Sequence, residues 1–464
     1  LTGASKAIPQ AIAIRYRRDV SILEEQLVLG EAPPPKRRTT RRRTEATLLV
    51  MAAAIVTGAY TILSLAQTKR IPPNLIPFLV IVLFLALVGH LVNRKLAPDA
   101  NPIILPMVLL LNGLGYVMIA RLDPHEARLQ AGWSAVAMAF YFLTLLAIRR
   151  SGVLDRYRYL LMLGGIALLM LPLVPHLGTN INGTRLWIRL GPLSFQPVEL
   201  AKIALAGFFA SYFVEKRDLL RTPTKKMGRV MVPDPRVALP IVLAWLFAVL
   251  IITAERDIGF ALLIFVLFIV MLWSATGRVA YLGLGVVLFV AATFLGMHLF
   301  HHVDERIAVW LDPWKHPKTS GYQLVQAQYA FGSGGLTGAG LGLGHPGLVP
   351  IASSDFIFAA FGEEFGLLGT SALLFAFLLL VGTGLRIALE ARTDFGKLLA
   401  IGLTTLLGFQ SFFIMAGVTR LLPVTGITLP FVAYGGSALV ANYILAALLM
   451  RVSDETEEFH RLHL

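Results

Sequence analysis

The chain has 464 residues, 56% of them hydrophobic and 15% charged, whereas a soluble globule carries about 25% charged residues. Apolar runs of roughly 17–25 residues recur, each able to cross about 30 Å of hydrocarbon. A soluble globule is therefore excluded and an all-α polytopic membrane protein is expected. Nothing resembles the ten-residue alternation of an outer-membrane barrel. The formal charge of +14 would suggest nucleic acid in a soluble protein. Here the anionic cytoplasmic membrane surface is the simpler partner, and no nucleic acid is expected. Cysteine is absent, which removes disulfides and thiolate metal sites.

Residues 1–46, broken by "EAPPPKRRTTRRRTE", read as a flexible basic cytoplasmic tail. No cleavable signal peptide is expected, since the first apolar run follows that basic tail without a small-residue cleavage site. Twelve spans follow, at 48–66, 75–92, 102–120, 132–148, 159–175, 197–214, 237–253, 258–275, 279–297, 356–382, 397–417 and 430–451. They divide into an N-terminal pair within 47–95 and a core over 96–452, with a cytoplasmic tail at 453–464. The basic segments at 93–95, 149–158 and 215–229, and the loop holding Arg386, Arg392 and Lys397, fall on one side if both termini are cytoplasmic. The large loop 298–355 and the shorter 176–196 are then extracytoplasmic. External loops would hold Arg128, Arg185, Arg189, Arg256, Arg306, Lys315, Lys318 and Arg420. So many cations on the side that should be poor in them suggest an outward-facing site for an anion. No internal repeat is apparent. The stretch "GSGGLTGAGLGLGHPG" (332–347) follows no predicted strand, so a flexible or tightly folded surface loop fits it better than a nucleotide-phosphate loop.

Three stretches carry candidate chemistry. In "IASSDFIFAAFGEEFG" (351–366), Asp355 stands at a loop–helix junction. Helix capping explains it locally. Glu363 and Glu364 follow roughly 12–14 Å along the axis, where acids usually face a cavity or a partner. Burial there raises proton affinity, as a general base requires. In "RLGPLSFQPVELAK" (189–202), Glu199 sits near a helix N-terminus and Lys202 shares its face. The two either lock a helix end or present Lys202 to an anionic ligand. Just upstream, Arg185, Trp187 and Arg189 offer stacking and charge-assisted bonds to a sugar–phosphate group, while Trp187 also fits an interfacial anchor. The third stretch is the turn Glu255–Arg256–Asp257, which reads as a capped hairpin or as part of the external charge cluster. The ten histidines form no metal-binding spacing. A divalent cation (Mg²⁺ or Mn²⁺) weakly held on carboxylates is compatible with the sequence but not indicated by spacing.

Taken together, "NGTRLWIRLGPLSFQPVELAK", "AERDIG", "WLDPWKHPKTSGYQLVQAQYAFGSGGLTGAGLG", "SSDFIFAAFGEEFGLLG" and "GVTRLLPVTGITLPFVAYGGSALVANY" resemble the SEDS family of RodA and FtsW. These are the membrane glycosyltransferases of shape, elongation, division and sporulation. The resemblance covers roughly residues 100–452. It implies a ten-helix core, with the pair at 48–92 resembling longer actinobacterial RodA-like forms. It implies an inverting polymerase of lipid II, acting on the outer face of the cytoplasmic membrane and expelling a polyprenyl diphosphate. Implied partners are a single-pass class B penicillin-binding protein and other elongation or division proteins. Asp355 matches the family's essential aspartate, proposed to take the proton from the attacking hydroxyl. Arg128, Lys202 and Arg185 would steady the leaving charge, Trp187 matches a required tryptophan, and Glu199, Asp257, Glu363 and Glu364 match cavity acids. The chain departs from the pattern at Leu186, Val198, Arg256 and Ala433. Two rivals are a flippase of the lipid-linked precursor and a scaffold that recruits the transpeptidase. A flippase needs polar lining along the whole crossing, and a scaffold leaves the buried acids without a purpose.

Overall fold

The computed structural model describes residues 38–463 except 73–74, 176, 182–183, 191–192, 222–224, 228–229, 233–234, 255–256 and 300. Most of the expected N-terminal tail, together with Glu255 and Arg256, therefore lies outside the described residues. Helices α1 (Arg38–Thr68), α2 (Leu75–Leu96), α3 (Ile104–Leu122) and α4 (Pro124–Ala147) come first. They are followed by α5 (Arg158–Met170), α6 (Val198–Arg221), α7 (Pro235–Ala254), α8 (Ile258–Thr276) and α9 (Ala280–Leu299). Two shorter helices, α10 (His301–Leu311) and α11 (Tyr322–Gly334), lead to α12 (Ile357–Glu390), α13 (Asp394–Val418) and α14 (Gly436–His463). Apart from α10 and α11, each of these helices overlaps one expected span, with ends that differ by up to about a dozen residues. Eight of them are long and apolar enough to cross a membrane, and α5, α7 and α9 hold shorter apolar helices. Helix α6 is set apart by Glu199, Lys202 and Glu215.

The loop between α5 and α6 is not featureless. It folds into an antiparallel sheet of β1 (Gly178–Ile181), β2 (Thr184–Leu190) and β3 (Leu193–Phe195), with Thr179 opposite Trp187 and Ile188 opposite Phe195. The alternation in "TRLWIRL" explains it. Leu186 and Ile188 are buried, while Trp187 and Arg189 fall on the other face.

Charged side chains tie the bundle together at both ends. Where α4 ends and α14 approaches its own end, Arg451 donates to the carbonyls of Leu145 (2.7 Å), Ile148 (2.8 Å) and Leu96 (2.8 Å) and pairs with Asp454. These are helix-terminal carbonyls that would otherwise lack partners. Asp454 in turn accepts from the Asp99 amide at 2.8 Å. The N-terminal pair is fastened by the same chemistry. Arg42 donates to the carbonyls of Ala97 and Pro98, and fully buried Glu45 accepts from Arg42 and from Asn93. A buried carboxylate is tolerable only with such partners.

Candidate active site

At the opposite end, where α6, α8, α12 and α14 begin, the loop between α13 and α14 organises the surroundings. Arg420, in a left-handed conformation (φ 64°), donates to the carbonyls of Trp310 and Leu311 at the end of α10, and the Trp310 indole donates back to the Arg420 carbonyl at 3.1 Å. This exchange fixes α10, and α10 places Arg306 so that it donates to the carbonyls of Val424 and Thr425. The Tyr434 amide donates to the Ser353 carbonyl at 2.8 Å, joining the same loop to the turn that carries Asp355. Ile351 and Phe431, in the turn and the loop respectively, also take left-handed backbones (φ 55° and 64°). Such conformations are costly for non-glycine residues and persist only where their surroundings enforce them.

Asp355 and Arg306 meet at Gly426, and Asp257 is close enough to feel the charge of both. A Cβ added at that glycine would stand 3.8 Å from the Arg306 guanidinium and 4.0 Å from the Asp355 carboxylate. Asp355 is half-buried, and its one hydrogen bond among the described residues comes from the neighbouring Ser354 hydroxyl at 3.2 Å. Burial pushes its carboxyl up to about 6, opposed by the Ser354 hydroxyl and the Arg306 charge. Asp257 caps α8 by accepting from the Phe260 amide at 2.9 Å. Burial raises it to about 7 against the pull of that amide and of Arg306, and the Asp355 charge adds to the rise. Capping is thus part of what Asp257 does. For Asp355 the expected capping role is absent, because the residue at the α12 N-cap is Phe356 and no side chain caps there.

A second group adjoins the first through Phe260. The Lys202 ammonium lies 5.9 Å from the Phe260 ring centroid, pairs with Glu199 at 2.5 Å and donates to the Gln410 amide oxygen at 2.6 Å. Gln410 then donates to the Thr428 carbonyl, again in the α13–α14 loop. Lys202 and Glu199 are both fully buried, as the pairing of buried charges requires.

Glu363 and Glu364 have a different setting. Helix α12 breaks at Gly366 (φ 64°, ψ −162°), which frees backbone groups of the broken turn. The glycine-rich stretch satisfies them: Ala339 and Gly340 donate to the carbonyls of Glu363 and Glu364, and Leu367 and Leu368 donate to those of Gly335 and Leu336. Gly338 (φ 85°) allows the close approach, since a Cβ there would fall 2.2 Å from the Glu364 carbonyl oxygen. The side chains join in. Glu363 accepts from the His345 amide at 2.7 Å, and Glu364 accepts from Gly342 at 3.0 Å and from Arg121 at 2.9 Å. The resemblance implies that these two acids line the cavity. Their carboxylates instead clamp the loop, because the helix break brings it within reach.

The remaining candidates are scattered. Trp187 is half-buried on β2, and Arg128 is exposed on α4. The Arg185 side chain lies outside the described residues. Sequence reasoning counted Arg306 only among the external charges, and it passed over Gln410 and Arg121. The signal for Gln410 was a single amide within an apolar span. Arg306 offered none beyond its charge, since its place depends on Arg420, more than a hundred positions farther on. Among the described residues no group of three His, Asp or Glu side chains converges to hold a metal ion.

Residues 102–458 match the Cell cycle protein family of FtsW, RodA and SpoVE. The chain belongs to this family. It is 41% identical over 412 residues to the peptidoglycan glycosyltransferase RodA of Mycobacterium tuberculosis, covering 86% of this chain and 88% of that protein. It is 38% identical to a probable peptidoglycan glycosyltransferase FtsW of Geobacter sulfurreducens, over 64% of this chain and 77% of the other. Among solved structures, a chain from a peptidoglycan synthase complex that coordinates polymerization and crosslinking aligns with a TM-score of 0.61 at 29% identity. It covers 75% of this chain and 96% of that one. RodA of Thermus thermophilus aligns with a TM-score of 0.53 at 28% identity, over 75% and 95%. The FtsW/RodA/SpoVE match begins after α2, so the clamped N-terminal pair lies outside it.

Proposed function

We propose that this chain is a peptidoglycan glycosyltransferase that polymerises lipid II, with Asp355 as general base. The observation that carries the reading is a partly open carboxylate at the mouth of the bundle, raised toward neutrality by burial and facing one guanidinium. A base works best with a pKa near the working pH. Asp355 takes the proton from the acceptor sugar's hydroxyl as that oxygen attacks the donor's anomeric carbon. The bond from that carbon to the diphosphate breaks, the configuration inverts, and polyprenyl diphosphate leaves with the bonding pair. Arg306 supplies fixed positive charge beside the reacting groups, and Arg128, exposed on α4, adds to the field that receives the leaving diphosphate. Lys202, buried and already paired with Glu199, holds the α13–α14 loop through Gln410 instead of meeting the leaving group. Asp257 shares the Arg306 charge with Asp355. Trp187 and Arg189, on one face of β2, present a stacking surface to a sugar. Glu363 and Glu364 shape the mouth by holding the glycine-rich loop.

The reading places this end of the bundle outside the cytoplasmic membrane and both termini inside, which keeps most Lys and Arg within. A single-pass class B penicillin-binding protein would crosslink the strands. Against a flippase stands the distribution of buried charge. Asp257, Glu199, Lys202, Glu363 and Glu364 gather at one end and Arg42, Glu45, Asp99, Arg451 and Asp454 at the other, leaving no buried charged path along the crossing among the described residues. The test supplies labelled lipid II in detergent, where there is no bilayer to flip across, to the purified chain with its transpeptidase partner. Long glycan from the wild type and none from Asp355→Asn is expected. An inactive wild type would return the flippase to first place.

A further inference from the structure

A cavity of about 490 Å³ opens at the end of the bundle opposite Asp355, between the link from α4 to α5, the loop from α12 to α13, and α14. Arg149, Arg150 and Arg392 line it with exposed side chains. None of the three makes an ion pair with a described residue, and the Arg392 guanidinium lies over the Phe459 ring at 3.9 Å. The acids on the same wall are largely committed elsewhere. Asp454 pairs with Arg451 at 3.0 Å and accepts from the Asp99 amide, and Glu455 accepts from the Ser151 hydroxyl at 2.6 Å. Among the described residues Glu458 is the one acid of the lining left at the rim, against three guanidinium groups without an ion pair. The first turn of α13, a helix of 25 residues, also borders the cavity and contributes the positive end of its dipole.

We propose that this cavity binds the phosphate-bearing headgroup of an anionic membrane lipid through Arg149, Arg150 and Arg392. Basic pockets between membrane helices on the cytoplasmic side take such headgroups, and guanidinium forks match phosphate oxygens in pairs. Leu146 and Leu389, close in sequence to these arginines and exposed on α4 and α12, give acyl chains an apolar surface running away from the rim. The site shares no residue with the catalytic reading, so either can fail alone.

The test uses the purified full chain in neutral detergent, titrated separately with phosphatidylglycerol, phosphatidylcholine and inorganic phosphate. Retained lipid is read by native mass and stability by thermal unfolding. Saturable retention of phosphatidylglycerol but not phosphatidylcholine is expected. Replacing all three arginines by glutamine should weaken it about a hundredfold, at roughly fivefold per arginine near an anionic surface. Gly152→Leu is the second variant: Gly152 lines the cavity and a Cβ added there meets nothing within 4 Å, so a leucine fits at the lining with the arginines in place, and weaker retention is again expected. Saturation by inorganic phosphate alone, lost in the triple variant, would keep the phosphate site and make its source a soluble anion. Equal retention of phosphatidylglycerol by the wild type and both variants would overturn the proposal.

Discussion

Two pairs of acids stand near the same mouth of the bundle and differ in everything but charge. The oxygens of Glu363 and Glu364 are taken by the His345 and Gly342 amides and by Arg121. Among the described residues Asp355 has only a weak bond from Ser354, and Asp257 accepts only from backbone amides at the start of α8. The first pair is satisfied by the fold, whereas the second retains acceptor capacity that a substrate can use. The number of donors already supplied therefore separates a structural carboxylate from a reactive one.

The contrast can be broken at the cation first. Arg306→Gln should lower turnover by about 10²–10³-fold, the usual cost of losing one preorganised stabilising group. Arg306→Lys should recover part of it by restoring the charge without the fork. Turnover of Arg306→Gln near that of the wild type would remove the guanidinium from the chemistry. Both variants are compared by lipid II polymerisation per folded molecule.

The pH dependence sharpens the contrast next. A base must be unprotonated, so kcat/KM should fall about tenfold per pH unit below roughly pH 6 and level off above it. Stability moves the other way. The folded Asp355 carboxyl binds its proton more tightly than an unfolded one, so its cost is absent below about pH 4 and complete once the pH passes 6. Asp355→Asn should thus be more stable than wild type at pH 8, by about 1–3 kcal/mol and with a higher Tm, and should match its Tm near pH 4. A lower Tm at pH 8 would mean the carboxylate is structural after all.

Glu364→Gln should do the reverse, costing about 2 kcal/mol of stability through the lost charge-assisted bonds while turnover per folded molecule changes little. Thermal unfolding and polymerisation assays on one preparation check both. The smallest effect belongs to Arg128→Ala. This side chain is exposed on α4, and its loss should raise KM modestly with kcat kept. An unchanged KM would leave it outside the site.

Much of this was legible in the chain itself. Length and hydropathy alone located the long apolar helices, though not α10 and α11, since a long apolar run has few other ways to satisfy its backbone in lipid. The sheet at 178–195 escaped because its strands are three to seven residues long, below the scale on which an apolar run announces itself. The break at Gly366 escaped because a glycine inside an apolar helix says nothing about which loop will fill the gap. Asp355 could be found from its place where a polar loop turns apolar. Arg306 could not, because what points it at Asp355 is a tertiary exchange between Arg420 and Trp310. The roles of Glu363 and Glu364 hinged on where residues 335–345 fold, which no spacing along α12 records.

The most direct test sets the two acid pairs side by side: lipid II polymerisation per folded molecule for Asp355→Asn and Glu364→Gln, measured at pH 7.5 in the same detergent. Turnover lower by about 10²–10⁴-fold in the first variant, with the second close to wild type, is the predicted result. Comparable turnover in Asp355→Asn and wild type would contradict the account.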